Sequence, residues 1–235
     1  MFSWPLFLQV PDSNQASLAQ GVFIVLMPAL LVIILLEFSS GNLNSRRLAV
    51  LGLLIAINSV IRLLGAGVSG IETAFFLIIL GAFVFGASFG FILGSGSLLV
   101  SALLGAGVGP WLPFQMMAAG LVGIGAGLLG LHKWKKRLLA VAGYSVLASF
   151  FYGALMTLWT WPFLAGLGSS IAFIPGAPLN VNLVSFIRYE VVTGGLLWDF
   201  GRAVTTVVLV ALTGKTLLVT LSRASNRVLV INSGS

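Results

Sequence analysis

Two oppositely charged side chains lie within the last apolar run of the sequence. Asp199 and Arg202 are three residues apart, so they share one face of a helix. They lie about 8 to 11 residues into that run, or roughly 12–17 Å deep at about 1.5 Å per residue. Charged groups at such depth in a membrane face the interior of a helix bundle and usually pair. The pair is therefore interpreted either as an ion pair that locks the bundle or as the polar floor of a ligand pocket.

A proline-rich turn presents aromatic and amide side chains rather than charged ones. The segment Gly109–Gln115 contains two prolines, and each lacks a backbone N–H and clashes with the preceding helical turn. One helix should therefore end near Gly107 and another should begin near Pro113. The turn presents an indole, a phenyl ring and an amide as a predicted binding surface at one membrane face: Trp111, Phe114 and Gln115.

Charged side chains also lie at the ends of two neighbouring apolar runs. Arg62 ends the second apolar run and Glu72 begins the third, so the two are expected either to pair or to form a solvated rim. A long connection from Pro162 to Tyr189 also contains polar residues, and loops of that length are often functional. The predicted substrate-binding residues are Arg62, Trp111, Phe114, Gln115, Asn180, Asp199 and Arg202.

The composition indicates which elements must position these residues. Of the 235 residues, 59% are hydrophobic and only 7% are charged, whereas soluble domains average about 25% charged residues. The chain is therefore predicted to be an all-α, polytopic membrane helix bundle, and its 29 glycines suit close helix packing in lipid. Seven apolar runs are predicted to span the membrane: 18–36, 48–66, 71–86, 88–107, 113–131, 138–161 and 191–213.

The distribution of basic residues predicts the orientation. The net charge of +7 is attributed to membrane topology rather than to nucleic-acid binding, because the bases cluster in short loops. An outside N-terminus and an inside C-terminus put nine of the twelve bases on the inner side: Arg46, Arg47, Lys133, Lys135, Lys136, Arg137, Lys215, Arg223 and Arg227. The outer side then carries the turn at 109–115 and the long connection, so ligand binding is expected there.

Other chemistries fit the residues less well. The serines of the run Gly94–Ser97 resemble a membrane protease motif, but they lie toward the middle of a span, whereas His132, the one histidine, lies in the basic inner loop. Small residues for helix packing are the favoured interpretation. Gly214, Lys215 and Thr216 resemble a phosphate-binding loop whose required first glycine is replaced by Leu209. With no cysteine, a transition-metal site is disfavoured. No cofactor and no catalytic residue are predicted, so the chain is expected not to be an enzyme.

The sequence resembles a known family in three places. The first is Arg62–Gly65, followed by a short loop and the span containing Ala82–Gly86. The second is the string Gly109–Met116 running into Gly120–Gly123, and the third is the last helix with Trp198-Asp199 and Arg202–Thr206. Over residues 46–215 the chain resembles the substrate-binding S component of energy-coupling-factor transporters, which are ATP-driven vitamin importers.

This resemblance implies a domain organisation and partners. Residues 46–215 would form a six-helix substrate-binding domain, residues 1–45 an additional N-terminal helix and loop, and residues 216–235 a cytoplasmic tail. A transmembrane coupling subunit would dock on small residues of the first bundle helix, where Gly52 and Ala56 take the place of the family's usual alanine pair. Two cytoplasmic ATPases would supply energy, and the complex would lie in the plasma membrane of a prokaryote.

The substrate class follows from the same resemblance. The metal-importing relatives begin with a histidine-containing N-terminus, which this chain lacks. A small organic molecule is therefore expected: cobalamin, which is preferred, a thiamine fragment or a queuine-like base. The alternative interpretation is a stand-alone secondary transporter or channel, although no repeat of two halves is evident in the sequence.

Overall fold

The computed structural model describes residues 21, 25–34, 36, 45–65, 71–132, 135–164, 171–174 and 176–232. Helices account for most of these residues, and no strand occurs among them. In chain order the helices are α1 (Val25–Ile34), α2 (Ser45–Gly65), α3 (Phe75–Phe85), α4 (Ala87–Ser101), α5 (Leu112–Gly130), α6 (Arg137–Leu164), α7 (Leu179–Val192) and α8 (Gly195–Asn232).

The prediction of an all-α membrane bundle is confirmed. Five helices (α2, α4 with its continuation, α5, α6 and α8) are long and apolar enough to cross a membrane, and α1 and α3 are shorter apolar helices. These seven helices correspond to the seven predicted apolar runs. The predicted break at the proline-rich turn is also confirmed, because α4 continues as a π-helix that ends at Ala106 and α5 begins at Leu112.

Three helix boundaries differ from those predicted from the sequence. The connection expected from Pro162 to Tyr189 contains helix α7, and Pro162 itself lies inside the last turn of α6. A proline there removes only one of the final hydrogen bonds of the helix. Helix α8 continues to Asn232, well beyond the predicted apolar run 191–213 and into the segment expected to be a cytoplasmic tail. Burial of Leu218 and Leu221 explains part of this extension, because both pack against the core of the bundle.

Helix α3 forms the centre of the bundle. Ten of its eleven residues are buried, and it contacts α2, α4, α5, α6 and α8. Because the helix is apolar on every side, it is the type of helix that other helices must surround. The polar side chains of the candidate site therefore come from the helices and connections around α3.

Helices α4 and α5 make the closest packing in the bundle. A side chain on Gly90 would collide with the backbone of Gly123, and a side chain on Gly123 would collide with that of Gly90. The hydroxyl of Ser95 donates a 2.9 Å hydrogen bond to the carbonyl of Met116 across the same interface. This supports the interpretation of the serine-containing run as packing residues.

The connections divide the bundle into two ends. One end, here called the pocket end because the predicted binding residues lie toward it, carries the described residues 71–74, 107–111, 171–174 and 176–194. The other, here called the basic end, carries the start of α2, Gly86, the described residues 131–132 and 135–136, and the last part of α8. Every described acidic residue lies toward the pocket end: Glu72, Glu190 and Asp199.

Candidate functional site

Asp199 and Arg202 form a buried ion pair on α8, as their spacing predicts. Their side chains are joined by a 2.5 Å contact and are 5% and 12% exposed, respectively. The guanidinium of Arg202 also donates a 3.1 Å hydrogen bond to the carbonyl of Ser149 on α6. The pair thus connects α8 to α6, which pack closely along their lengths.

The position of the Asp199 carboxylate depends on the absence of a side chain at Gly153 of α6. A side chain on Gly153 would collide with both carboxylate oxygens of Asp199. No other residue type leaves room for the carboxylate at this point, so Gly153 fixes how deeply the ion pair enters the bundle.

Tyr152 connects this ion pair with charged groups on other elements. The guanidinium of Arg202 lies 5.0 Å from the centre of the Tyr152 ring, a distance at which a cation is attracted by the ring face. The Tyr152 hydroxyl also interacts electrostatically with Glu72 and Arg62. We call Arg62, Glu72, Tyr152, Glu190, Asp199 and Arg202 the charged cluster.

Arg62 and Glu72 belong to this cluster without forming the ion pair that their positions suggest. Arg62 donates a 2.9 Å hydrogen bond to the hydroxyl of Ser101, next to the π-helix. Glu72 accepts a 3.2 Å hydrogen bond from the backbone of Ala74, which begins α3. A third contact, from the Thr73 hydroxyl to the carbonyl of Ile61 at 2.7 Å, holds this connection against α2.

Several buried polar atoms of the cluster have no hydrogen-bond partner within the described residues. They are Nε of Arg62, Nε of Arg202 and both carboxylate oxygens of Glu190. The side-chain amide of Asn58, one helical turn before Arg62, is fully buried and likewise has no partner. Buried polar groups are rarely left unsatisfied, so each such group requires an explanation. Here donors and acceptors are available together, which is what a hydrogen-bonding ligand requires.

Glu190 reaches the cluster from the end of α7. Its side chain is buried, and a side chain on Gly195 would collide with its carboxylate. Burial raises the pKa of the Glu190 carboxyl above its ordinary value, and the charge of Asp199 adds to this effect. The charge of Arg202 opposes the increase.

The raised pKa of Glu190 predicts how stability depends on pH. The folded protein binds this proton more tightly than the unfolded chain, so stability is highest below the ordinary value of 4.5 and falls as pH rises through the raised pKa. We expect Glu190→Gln to remove this fall, because the amide does not titrate. Thermal unfolding of both proteins from about pH 4.5 upward measures the difference, and parallel curves would contradict the assignment.

Aromatic rings border the pocket end beside the cluster. Phe114 stacks on Trp159 with the ring centres 4.0 Å apart and the planes at 4°. Both rings are buried, so of the residues predicted in the turn Phe114 is the one placed in the core. Trp111 is 43% exposed and lies against Gly109 in its own turn. Gln115 is half-buried and continues α5 through its backbone hydrogen bond to the carbonyl of Trp111.

An asparagine other than the predicted one organises the long connection. Asn180 is exposed in the first turn of α7, whereas Asn182 is 2% exposed. The Asn182 amide both accepts from the N–H and donates to the carbonyl of Ile174, at 3.0 and 2.9 Å. Nearby, the indole of Trp161 donates to the carbonyl of Ile171 at 2.8 Å. These contacts fix the segment that precedes α7 and so hold Glu190 in place.

A comparison of the two asparagines tests this role. We expect Asn182→Ala to lower the free energy of unfolding by about 1–3 kcal/mol, because it removes the two hydrogen bonds that the buried Asn182 amide makes with the backbone of Ile174. Asn180→Ala, two residues away and exposed, is the matched control for stability. Thermal unfolding should show a loss of several degrees for the first variant alone, and equal losses would contradict the account.

The predicted docking residues lie on an open face of α2. Gly52 and Ala56 are exposed, and no atom lies within 4 Å of the position that a side chain on Gly52 would take. Large apolar side chains surround them, with Leu53 60% and Val60 54% exposed. A second helix can approach closely over small residues of this kind.

The family described as the ECF transporter, substrate-specific component, matches residues 46–212 of the chain. The chain belongs to this family. Searches of curated proteins and of solved structures each gave no match. The match includes α2 to α6, α7 and the cluster residues of α8, and it ends within α8.

Membership in this family establishes the broad function of the chain. The family is a transporter component rather than an enzyme, and its members partner with a coupling subunit and ATPases. Together with the five long apolar helices, this makes the chain a multi-pass membrane protein. Within the part of the chain that the structure describes, no group of three or more His, Cys, Asp or Glu residues could hold a metal ion.

Sequence reasoning missed two members of the site. Tyr152 follows Ser145 and Ser149 at helical spacing, and this polar stripe within an apolar span was a usable signal. Glu190 precedes the last apolar run directly, and the sequence predicts a loop in the connection before it. Its proximity to Asp199 depends on α7, which brings Glu190 back against α6 and α8.

Proposed function

We propose that the chain is the substrate-capture subunit of an ATP-driven importer of a vitamin or similar micronutrient. The observation that supports this most strongly is the charged cluster, in which Tyr152 interacts electrostatically with Arg62, Glu72 and Arg202, and Glu190 with Asp199 and Arg202. Burying charged groups within a membrane is costly, and such residues are usually functional. The surplus donors and acceptors of the cluster supply the interactions that a ligand would complete.

The ligand best suited to this site is a small organic molecule with both hydrogen-bond donors and acceptors. The free Nε groups of Arg62 and Arg202 donate, while the Glu190 carboxylate accepts when ionised. Carboxamide groups of the kind that cobalamin carries offer both functions. Cobalamin is therefore the first candidate, and thiamine fragments and queuine-like bases are the next compounds to test.

The binding residues proposed are those of the cluster, together with the aromatic and amide groups near the turn. The ring of Phe114 stacks on that of Trp159, which is proposed to form one wall of the binding site. Trp111, just before α5, and Gln115, in the first turn of α5, are proposed to lie at the edge of this wall. Asn180, exposed at the start of α7, is proposed to meet the ligand only at the entrance. Binding is proposed to occur at the pocket end, which would face outward in the plasma membrane of a prokaryote; the clustering of basic residues toward the other end supports this orientation.

Delivery is proposed to require partner subunits. A transmembrane coupling subunit docks on Gly52 and Ala56, and two cytoplasmic ATPases supply the energy. Uptake of the identified ligand into proteoliposomes distinguishes this from a stand-alone transporter. We expect uptake only with the coupling subunit, both ATPases and ATP present. Uptake by this chain alone, driven by an ion gradient, would contradict the proposal.

A further inference from the structure

Two adjacent cavities at the basic end share one arginine. The larger, of about 370 Å³, lies between α6 and α8, and the smaller, of about 300 Å³, lies between α8 and the start of α2. Arg223 lines both. The other cations are Arg137 and Lys215 in the first cavity and Arg46 in the second. We call this pair of cavities the basic groove.

The groove combines cations with apolar walls and hydroxyl groups. Leu138, Leu218 and Val219 line the larger cavity beside Ser222, and Thr220 lines the smaller one. The guanidinium of Arg137 lies 5.7 Å from the centre of the Phe83 ring, a contact that holds it near the groove. A ligand that fits such a groove carries a negative charge next to an apolar chain.

No described acidic side chain neutralises these cations. The three described carboxylates, Glu72, Glu190 and Asp199, lie toward the opposite end of the bundle. Arg223 and Lys215 are exposed, so their charges are available to a ligand. The charge asymmetry therefore favours an anionic occupant.

The length of α8 indicates that the basic groove lies at the level of the lipid headgroups. The apolar part of α8, Gly195–Ser225, has 31 residues, or about 46 Å at roughly 1.5 Å per residue. The hydrocarbon core is only about 30 Å thick and accommodates about 20 residues. With the beginning of α8 near one surface of the hydrocarbon core, the segment from Lys215 to Arg223 lies at the headgroups of the opposite leaflet.

We propose that the basic groove binds an anionic phospholipid. Its phosphate contacts Arg223 together with Lys215 and Arg137, and the glycerol with the first methylene groups of the acyl chains lies against Leu138, Leu218 and Val219. Arg46 extends the positive surface on the other side of Arg223. Such a lipid would hold α8 against α2 and α6 at the end of the bundle opposite the charged cluster. Basic pockets between membrane helices are known to recognise lipid headgroups in this way.

Native mass spectrometry of the full chain in detergent tests the proposal, with phosphatidylglycerol and phosphatidylcholine titrated at equal concentrations. We expect preferential retention of phosphatidylglycerol. Arg223→Gln should weaken that binding about five-fold, the effect of losing one cation near a charged headgroup. Lys215→Gln should weaken it similarly. The matched control is Arg188→Gln, which removes one exposed charge from α7 at the pocket end and should leave lipid retention unchanged.

Three outcomes would overturn the proposal. Equal retention of the two lipids would show that charge does not select the occupant and would favour an acidic partner protein on this face. An equal loss of phosphatidylglycerol retention in Arg188→Gln and Arg223→Gln would show that only the net charge of the protein matters. Thermal stabilisation by inorganic phosphate to the same extent as by phosphatidylglycerol would show a site for free phosphate.

Discussion

Gly153→Ala should abolish tight ligand binding. The added methyl group would occupy the space of the Asp199 carboxylate, so the ion pair with Arg202 must move or break. Breaking a buried ion pair costs about 3–5 kcal/mol. A ligand that requires the intact pair must overcome this cost on binding, and about 3 kcal/mol corresponds to at least a 100-fold loss of affinity. Equilibrium titration of the purified variant with the ligand measures the effect.

A glycine on the same helix provides the control. Gly143 lies on the exposed face of α6 and has no atom within 4 Å of the position of an added side chain. Gly143→Ala should bind ligand normally. Asp199→Asn keeps the shape of the side chain and removes its charge, so it tests the pair even if Gly153→Ala fails to fold. Normal affinity in both Gly153→Ala and Asp199→Asn would show that the cluster is not the ligand site.

Gly52→Leu should separate binding from transport. The position is exposed with open space around it, so the bundle tolerates the larger side chain. If a coupling subunit packs over Gly52 and Ala56, leucine prevents the close approach of its helix. We expect ligand affinity within about two-fold of the unmodified protein and uptake reduced to background in cells that contain all the subunits.

The control again uses Gly143, because Gly143→Leu adds the same side chain to another open, exposed position. It should retain both binding and uptake. Co-purification of the coupling subunit should be lost with Gly52→Leu and kept with Gly143→Leu. Normal uptake by Gly52→Leu would remove this face from the proposed docking surface.

The local features of the fold could be predicted because each depends on residues close in sequence. Prolines at 110 and 113 determine where one helix ends and the next begins, whatever surrounds them. The spacing of Asp199 and Arg202 allows them to pair within a single helix. The exposure of Gly52 and Ala56 likewise follows a small-residue pattern that is visible on one helix.

The assembled site depends on contacts between helices, which no local pattern specifies. Arg62 was expected to pair with Glu72 or face solvent, yet it donates to Ser101 on α4 and interacts with Tyr152 on α6. Asn182, not Asn180, anchors the long connection because α7 turns that side of the helix inward. An amphipathic pattern in this connection was the signal that would have revealed α7.

Mass spectrometry of the small molecules retained by the purified chain tests the central claim most directly. The chain is expressed alone in cells supplied with a vitamin mixture and is purified in detergent without ATP or partner subunits. We predict one organic molecule per chain, present with the unmodified protein and Gly143→Ala and absent from Gly153→Ala. An empty protein that also fails to bind cobalamin and the other vitamin-like compounds in titrations would contradict the claim that this chain captures the substrate.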